Sequence, residues 1–176
     1  DAPVLGSLPQ AEAGELVFLV GGDQAAFEFS KPLLGAMSRT CHYMGDSGAG
    51  ATVKLINNMV SGALTAVLAE AAQVAEAARL DPTATVAALS DGAASSRILR
   101  SKLPAMFQRD FTPQFQLALM EKDIRYFLQL AADVDRPAPL ASLVRSQYQA
   151  ARRADLGKLD SSAIFLEVSG EGHRSS

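Results

Sequence analysis

The sequence predicts an α/β segment over residues 1–47 and an all-helical domain over residues 48–170 that is built around one long central helix. Short apolar runs typical of strands are found in the first segment. From Gly48 onwards the residues favour helix, and no strong breaker other than Gly62 occurs before Pro82. A helix of about 30 residues, roughly 45 Å long, is therefore expected after the α/β segment.

The α/β segment combines strands with one helix. Its predicted strands are residues 2–5, 16–20 and 41–44, and its predicted helix covers residues 24–37. Asp23 directly precedes that helix and can accept a hydrogen bond from the first N–H groups, as N-cap residues do. Pro32 lies inside the predicted helix, where it is expected to cause a kink or a break.

Capping residues, prolines and glycines divide the rest of the helical domain into five shorter helices. The first helix is predicted from Asp81-Pro82 to Gly92, and the second from Ser95 or Ser96 to just before Pro104. The third begins at Thr112-Pro113 and carries Lys122 and Asp123. The fourth starts at Pro137 and Pro139 and ends at Gly157, and the fifth runs from Asp160 to about Val168. The polar residues 171–176 are predicted to form a disordered tail.

Composition and charge restrict the class of protein. With 176 residues, of which 48% are hydrophobic and 20% are charged, the chain can bury a globular core. Its formal net charge of −3 argues against a nucleic-acid partner, because surfaces that bind nucleic acid are basic. No uninterrupted apolar run of membrane-spanning length is expected, so no membrane partner is predicted.

The cysteine and histidine residues indicate no special site. The single cysteine, Cys41, cannot form an internal disulfide and is compatible with a cytoplasmic location, where thiols stay reduced. It lies in an apolar stretch and is interpreted as a packing residue. His42 has no carboxylate or thiol at ligand spacing, and His173 lies in the polar tail, so no metal site is predicted.

The most informative stretch is residues 45–58, with the sequence GDSGAGATVKLINN. Its three glycines allow a tight turn and a close approach to another surface, and the residues that follow favour helix. Lys54 and Asn58 are four residues apart and therefore share one helix face. An amine that can transfer a proton, with an amide one turn away, suits catalysis on a small hydroxylated substrate. The alternative is an exposed Lys/Asn face on an ordinary helix.

The pattern G-D-x-G-x-G-x-x-x-K-x-x-N-N resembles the catalytic segment of the β-hydroxyacid dehydrogenases. This family contains 3-hydroxyisobutyrate dehydrogenase, tartronate semialdehyde reductase and the glyoxylate/succinic semialdehyde reductases. Further segments resemble the family in the same order, namely Asp1-Ala2-Pro3-Val4 with Gly6, Ala11-Glu12-Ala13-Gly14, Val20-Gly21-Gly22-Asp23, Phe115 with Leu119-Met120-Glu121-Lys122-Asp123-Ile124, and Leu159-Asp160-Ser161-Ser162-Ala163. The resemblance covers residues 1 to about 168.

The resemblance implies that residues 1–47 are the end of a Rossmann-type NAD(P)-binding domain and that residues 48–170 form a substrate and dimerisation domain. Family members begin with a G-x-G-x-x-G turn that holds the dinucleotide pyrophosphate, and no such turn occurs in this sequence. We therefore expect the chain to be the C-terminal part of a longer enzyme, lacking roughly 100 or more residues and inactive by itself.

The resemblance also implies the reaction, which is hydride transfer between NAD or NADP and a small 3-hydroxy acid or its semialdehyde or oxo-acid counterpart. Lys54 is the residue expected to exchange a proton with the substrate oxygen. Asn58 is expected to orient the lysine or the substrate by hydrogen bonds. Asn57 points about 100° away on the helix and is the weaker candidate.

The second group of candidates lies further along the chain. By resemblance, Lys122 contacts the cofactor, and Asp123 and Phe115 line the substrate cleft. Asp123 and Phe115 are eight residues apart and are expected to lie on one side of a single helix. An exposed polar face is the alternative for Lys122 and Asp123, and ordinary core packing is the alternative for Phe115.

Substrate binding is expected to differ from that of many relatives. Family members often have Ser-Gly-Gly after D-A-P-V, and this chain has Leu5-Gly6-Ser7. Because Leu5 has no hydroxyl group, binding of a substrate carboxylate is expected to depend on the N–H groups of Gly6 and Ser7 or on the Ser7 side chain. A larger or less polar acid, or another carbonyl compound, is therefore left open as the substrate.

Two alternative functions are considered for the chain, and its self-association is predicted. An imine reductase shares the scaffold, but we expect the imine enzymes to replace Lys54. A non-catalytic helical dimerisation module is the alternative from another class, and the joint presence of Lys54, Asn58, Lys122 and Asp123 argues against it. The apolar residues 62–72 indicate a helix packed on many sides, with more apolar surface than one small domain covers. Self-association as a dimer or tetramer is therefore expected.

Overall fold

The computed structural model describes residues 1–172. They form two compact units, of which the first is Asp1–Asn58 and the second begins at Met59. The first unit contains a three-stranded sheet with strands β1 Val4–Leu5, β2 Leu16–Gly21 and β3 Ser38–Gly45, in the order β1-β2-β3. Strand β1 is antiparallel to β2, and β2 is parallel to β3. The predicted tail falls mainly on residues 173–176, which lie outside the described part of the chain.

Two helices complete the first unit, α1 Leu8–Glu12 and α2 Gln24–Gly35. Asp23 caps α2 as predicted, because its Oδ1 accepts a hydrogen bond from Ala26 N at 2.8 Å. Pro32 lies inside α2 without ending it, so the expected break does not occur. The Phe27 ring of α2 stacks on Tyr43 of β3 with centroids 5.4 Å apart, which attaches the helix to the sheet.

The sequence analysis missed α1. Ser7 directly precedes this helix, and Gln10 follows three residues later. Gln10 Oε1 accepts a hydrogen bond from Ser7 N at 2.9 Å, which is half of a capping box. The S-x-x-Q spacing was the available signal, but it falls in a short stretch between Gly6 and Gly14.

The second unit is helical. It continues α3 Ala49–Ala77, whose first residues belong to the first unit, and adds α4 Pro82–Asp91, α5 Arg97–Gln108, α6 Leu117–Asp133, α7 Pro139–Arg153 and α8 Ile164–Val168. Short 3₁₀ turns at Leu156–Lys158 and Ser161–Ala163 precede α8. The 29 residues of α3 agree with the predicted central helix. Asp81 and Ser96 are the N-caps of α4 and α5, as expected.

The core of the second unit lies between one face of α3 and helices α5 to α8. Its most deeply buried large side chains include Leu103, Met106, Ile124, Tyr148 and Phe165. Alanines of α3 pack against them, so backbones approach closely. The opposite face of α3 is exposed within this chain and carries apolar side chains, so the packing of this helix on further sides stays a prediction that depends on a second copy.

Gly62 is a point of close approach between helices rather than a weak point in α3. A Cβ at this position would lie 2.9 Å from both Ile124 Cδ1 and Met120 Sδ on α6. The Tyr148 hydroxyl of α7 donates a hydrogen bond to the Gly62 carbonyl oxygen at 3.3 Å. Burial raises the pKa of Tyr148, with smaller effects from Thr65, which lowers it, and Asp160, which raises it. The glycine is therefore needed for packing in the helix interior.

Three predicted helix boundaries are wrong. Helix α7 ends at Arg153 and not at Gly157, since Asp155 adopts a left-handed conformation with φ 60° and Gly157 lies in the 3₁₀ turn that follows. Helix α5 continues through Pro104 to Gln108, because its buried face, which includes Leu103 and Met106, outweighs the missing backbone hydrogen bond. Helix α6 begins at Leu117 and not at Thr112. The residues before it do not form a helix, because the N–H groups of Gln114 and Phe115 bind the Asp160 carboxylate.

Helix α3 corrects the expectation about apolar runs. It contains an 18-residue window of mean hydropathy 1.3 and is long and apolar enough to cross a membrane by length and composition alone. The core helix of a soluble protein passes the same test, and Ala66, Ala69 and Ala72 on this helix are buried against protein. One such helix is weak support for a membrane span.

Candidate functional site

The Lys54 side chain lies in the second turn of α3 and turns back towards strand β1. Its Nζ donates a hydrogen bond to the Val4 carbonyl oxygen at 2.6 Å, although the two residues are 50 positions apart in the sequence. The side chain is partly buried. The amine is therefore held next to the segment that continues into Gly6 and Ser7, which resembles the substrate-binding segment of the family.

Asn58 follows Lys54 by one helical turn and lies on the same face of α3, as the spacing predicted. Asn58 is buried, and its Oδ1 accepts a hydrogen bond from Asn57 Nδ2 at 3.1 Å. The neighbouring amide, which the sequence analysis ranked lower, therefore contacts Asn58 directly. This contact helps to fix the orientation of the Asn58 carboxamide.

The turn at Gly6 and Ser7 is shaped by Gln10. Gly6 has a φ of 118°, a region that favours glycine, and a Cβ there would lie 3.0 Å from Gln10 Cβ. Ser7 N and Ser7 Oγ both donate hydrogen bonds to Gln10 Oε1, at 2.9 Å and 3.0 Å. The two Ser7 groups proposed to hold a substrate carboxylate are therefore engaged by an amide oxygen, a partner that the sequence analysis did not foresee.

Lys122 and Asp123 lie on α6 in the second unit. Lys122 Nζ is 3.1 Å from Asp123 Oδ1 and 5.6 Å from the centre of the Tyr126 ring. The Lys122 side chain is 42% exposed and that of Asp123 is 12% exposed. The ammonium group is therefore accessible from solvent, and the carboxylate is largely enclosed.

Phe115 does not lie on the same helix as Asp123. It precedes α6, and its backbone N–H and carbonyl groups bind Asp160 and Ser161, so the predicted helical alignment is wrong. The Phe115 ring packs against the core of the second unit. Its role in lining the substrate cleft stays a prediction.

Asp160 holds the segment that leads into α6. Its buried carboxylate pairs with Lys102 Nζ of α5 at 2.8 Å. It also accepts hydrogen bonds from Gln114 N, Phe115 N, and the N–H and hydroxyl groups of Ser162. Burial by itself raises the pKa of Asp160, but the hydrogen bonds from Lys102, Ser162 and Phe115 outweigh it, so the pKa is lowered.

The candidate residues thus fall into two groups. Lys54, Asn58, Gly6 and Ser7 lie in the first unit, and residues 115–123 supply the others in the second unit. Within residues 1–172 there is no cluster of three or more histidine, cysteine, aspartate or glutamate side chains that could hold a metal ion.

Comparison with known proteins assigns the chain to a family. Residues 48–167 match the family described as the NAD-binding domain of NADP-dependent 3-hydroxyisobutyrate dehydrogenase, and residues 1–45 match the NAD-binding domain of 6-phosphogluconate dehydrogenase. The chain belongs to the β-hydroxyacid dehydrogenase family. The family and the fold class predicted from the sequence are confirmed, as is NAD or NADP as the cofactor of the family.

Three relatives illustrate the range of this family. Glyoxylate/succinic semialdehyde reductase 2 of Arabidopsis thaliana is 35% identical over 94% of this chain and 46% of its own length. A protein of Aedes aegypti named cytokine-like nuclear factor N-PAC is 32% identical over 96% of this chain and 30% of its own length. The crystal structure of 3-hydroxyisobutyrate dehydrogenase from Salmonella typhimurium matches with a TM-score of 0.86 and 31% identity, over 94% of this chain and 58% of that one. The chain therefore spans about half the length of the relatives that it matches.

Proposed function

We propose that these residues belong to an oxidoreductase that transfers a hydride between NAD(P) and a small 3-hydroxy acid or its semialdehyde or oxo-acid counterpart. The observation that carries the proposal is the position of Lys54, whose amine lies against the strand that leads into the Gly6–Ser7 turn. Family membership and the hydroxy-acid relatives support the reaction class.

In the proposed reaction, Lys54 exchanges the proton. During reduction the Lys54 ammonium group donates a proton to the carbonyl oxygen while a hydride adds to the carbonyl carbon, and oxidation reverses both transfers. Bound NAD(P) supplies or accepts that hydride. Asn58 orients the amine or the substrate from the next turn of α3, which contributes to positioning and not to proton transfer.

Only part of a dinucleotide site is expected from these residues. The accessible ammonium group of Lys122 suits a contact with an anionic or carbonyl group of the cofactor. The G-x-G-x-x-G turn that holds the pyrophosphate does not occur among the 176 residues. We therefore propose that the isolated chain binds NAD(P) with a Kd of about 1 mM or weaker and is inactive alone.

Lys122→Ala tests the cofactor contact. In the product of the complete reading frame, the substitution is expected to weaken NAD(P) binding, because it removes the accessible ammonium group. Isothermal titration with NADH and with NADPH measures the Kd. Lys158→Ala is the control, since it removes an exposed lysine from a 3₁₀ turn. An unchanged Kd would remove the proposed role of Lys122.

The residues proposed to contact the substrate are Gly6 and Ser7 in the first unit and Asp123 and Phe115 in the second unit. Initial rates of the product of the complete reading frame with glyoxylate, succinic semialdehyde, 3-hydroxyisobutyrate and a cyclic imine, each with both nicotinamide cofactors, test the reaction class. Turnover of an acid or semialdehyde supports the proposal. Turnover of the imine alone would favour the imine reductase alternative, and no turnover with any compound would contradict the oxidoreductase assignment.

A non-catalytic module is the second candidate. The Aedes aegypti relative named as a nuclear factor is 32% identical over 96% of this chain. A protein whose name is not that of a dehydrogenase or reductase therefore matches about as well as the Arabidopsis thaliana reductase at 35% identity. The combination of Lys54, Asn58, Lys122 and Asp123 supports the enzyme. The same rate measurements distinguish the two, because a module without activity would turn over none of the compounds.

The cytoplasmic location also stays a proposal, which cell fractionation would test.

We also propose that the second unit associates with a second copy through α3. Its exposed face carries Val60, Leu64, Val67, Ala71 and Val74, at alternating spacings of four and three residues. This is the spacing of a helix–helix seam, in which apolar residues from two helices interlock. An exposed apolar strip of this kind is typical of an interface, and a symmetric dimer covers it on both copies.

Light scattering tests the association. Val67 is 57% exposed, so Val67→Glu should leave the fold intact while placing a charge in the seam. We expect the wild type to be a dimer or tetramer and this variant to be a monomer at micromolar concentration. Ala87→Glu, on the exposed side of α4, should keep the wild-type mass. A monomeric wild type would contradict the proposal.

A further inference from the structure

A carboxylate from the first residue caps the helix that carries Lys54. Asp1 Oδ1 accepts a hydrogen bond from Gly48 N at 2.6 Å, and Asp1 Oδ2 accepts one from Ala51 N at 2.7 Å. The first N–H groups of a helix have no partner within the helix, and a carboxylate there also interacts favourably with the helix dipole. Capping side chains usually come from the residue directly before the helix. Here the capping residue lies 47 positions before Gly48.

Two glycines make room for this carboxylate. A Cβ on Gly21 would lie 2.6 Å from Asp1 Oδ1 and 2.7 Å from the Asp46 carbonyl oxygen. A Cβ on Gly50 would lie 2.8 Å from Asp1 Oδ2 and would overlap the carbonyl oxygen of Leu19. The end of β2 and the first turn of α3 therefore meet with the Asp1 carboxylate between them. Glycine at these two positions is needed for that contact.

The segment that begins with Asp1 is fixed at three points. Its backbone exchanges two hydrogen bonds with Gly21, from Asp1 N to Gly21 O at 3.1 Å and from Gly21 N to Asp1 O at 2.9 Å. Its carboxylate holds the start of α3. One turn further along that helix, Lys54 Nζ binds the Val4 carbonyl oxygen. Asp1 and Lys54 thus join the start of α3 to the end of β2 and to strand β1.

We propose that Asp1 is a positioning residue for Lys54. By tying the first turn of α3 to the strand that leads into Gly6 and Ser7, Asp1 determines where the Lys54 amine lies relative to that turn. This inference rests on the proposed role of Lys54 in proton transfer. Asp1 acts through α3 and has no contact with the substrate. A displacement of about 1 Å of a reacting group can lower a rate by as much as ~10²-fold.

Asp1→Asn in the product of the complete reading frame tests the inference by kinetics. The amide presents an NH₂ group towards one of the two helix N–H groups, so one hydrogen bond and the charge are lost. We expect kcat per folded enzyme to fall by about 10- to 100-fold while the KM for NAD(P) is unchanged. Asp91→Asn is the control, because it removes an exposed carboxylate at the end of α4 and should leave kcat unchanged. An unchanged kcat in Asp1→Asn would overturn the inference.

A second measurement needs no enzyme activity. Acetic anhydride acetylates lysine amines, and mass spectrometry of the product of the complete reading frame gives the extent of reaction at Lys54 relative to the exposed Lys31. Asp1→Asn is expected to raise the Lys54/Lys31 ratio several-fold, and Asp91→Asn is expected to leave it unchanged. An unchanged ratio in Asp1→Asn overturns the inference. If the wild type turns over no substrate, the proposed function fails, and this ratio still decides whether Asp1 positions Lys54.

Discussion

Replacing Asp160 with alanine is expected to destabilise the second unit strongly. The carboxylate accepts a bond from Lys102 Nζ, whose side chain is only 10% exposed, and further bonds from the N–H groups of Gln114 and Phe115. Removing one partner of a buried ion pair leaves the other charge uncompensated and costs about 3–5 kcal/mol. Because a folded domain is stable by about 5–15 kcal/mol, the loss is a large share of the total.

Urea unfolding followed by far-ultraviolet circular dichroism measures the change. For an unfolding slope of about 1–3 kcal/mol per molar urea, a loss of about 3 kcal/mol lowers the midpoint by roughly 1–3 M. Asp110→Ala is the control, since that carboxylate is exposed and binds the side chain and the N–H group of the neighbouring Thr112. A midpoint in Asp160→Ala equal to that of the control, with unchanged slope, would refute the argument.

A double variant separates the charge pair from the other contacts. Lys102→Met removes the cation that Asp160→Ala leaves unpaired. We therefore expect Lys102→Met combined with Asp160→Ala to be less destabilised than the sum of the two single variants, by at least about 1 kcal/mol. Simple additivity would show that the buried lysine is not the source of the cost.

The lowered pKa of Asp160 also predicts how this stability depends on pH. In the unfolded chain an aspartate titrates near about 3.9, and the folded value is lower because of the hydrogen bonds from Lys102 and the backbone. The unfolded chain therefore takes up the proton first as the pH falls. The contribution of Asp160 is complete above the unfolded pKa and decreases as the pH falls towards the folded pKa. The stability difference between wild type and Asp160→Asn should thus shrink below about pH 4.

Two further substitutions test the packing and the substrate turn. Gly62→Ala improves helix propensity by about 1 kcal/mol, but it also places a Cβ 2.9 Å from Ile124 Cδ1 and Met120 Sδ. Urea unfolding should therefore show a net loss of stability, because the added methyl group overpacks the contact between α3 and α6. A gain in stability would mean that α6 moves aside freely. Gln10→Ala frees the two Ser7 donors, and the KM for a carboxylate substrate should fall by about 2- to 10-fold in steady-state kinetics; a higher KM would show that Gln10 itself assists binding.

Local signals explain why much of the fold could be predicted. Asp23, Asp81 and Ser96 cap their helices because a side-chain oxygen three residues ahead of an N–H group can reach it whatever the rest of the chain does. Long-range contacts explain the failures. Pro104 does not end α5, because other helices bury that helix on both sides of the proline. Helix α6 begins later than predicted, because Asp160 binds the N–H groups of residues before it.

The candidate site was predictable only in part for the same reason. The spacing of Lys54 and Asn58 places them on one helix face, and the structure has them there. The partners of that face come from distant positions, since Lys54 binds Val4 and the helix is capped by Asp1. Neither contact has a local sequence signal, because the two ends of each lie about fifty residues apart.

The most direct test of the proposed function is the turnover of Lys54→Ala in the product of the complete reading frame. If Lys54 transfers the proton, kcat should fall by about 10²–10⁴-fold in both directions, with the Kd for NAD(P) unchanged, because the substitution removes the acid–base group and no proposed cofactor contact. Retention of more than about a third of the wild-type kcat with every substrate would contradict the account, since a positioned proton donor contributes far more than that.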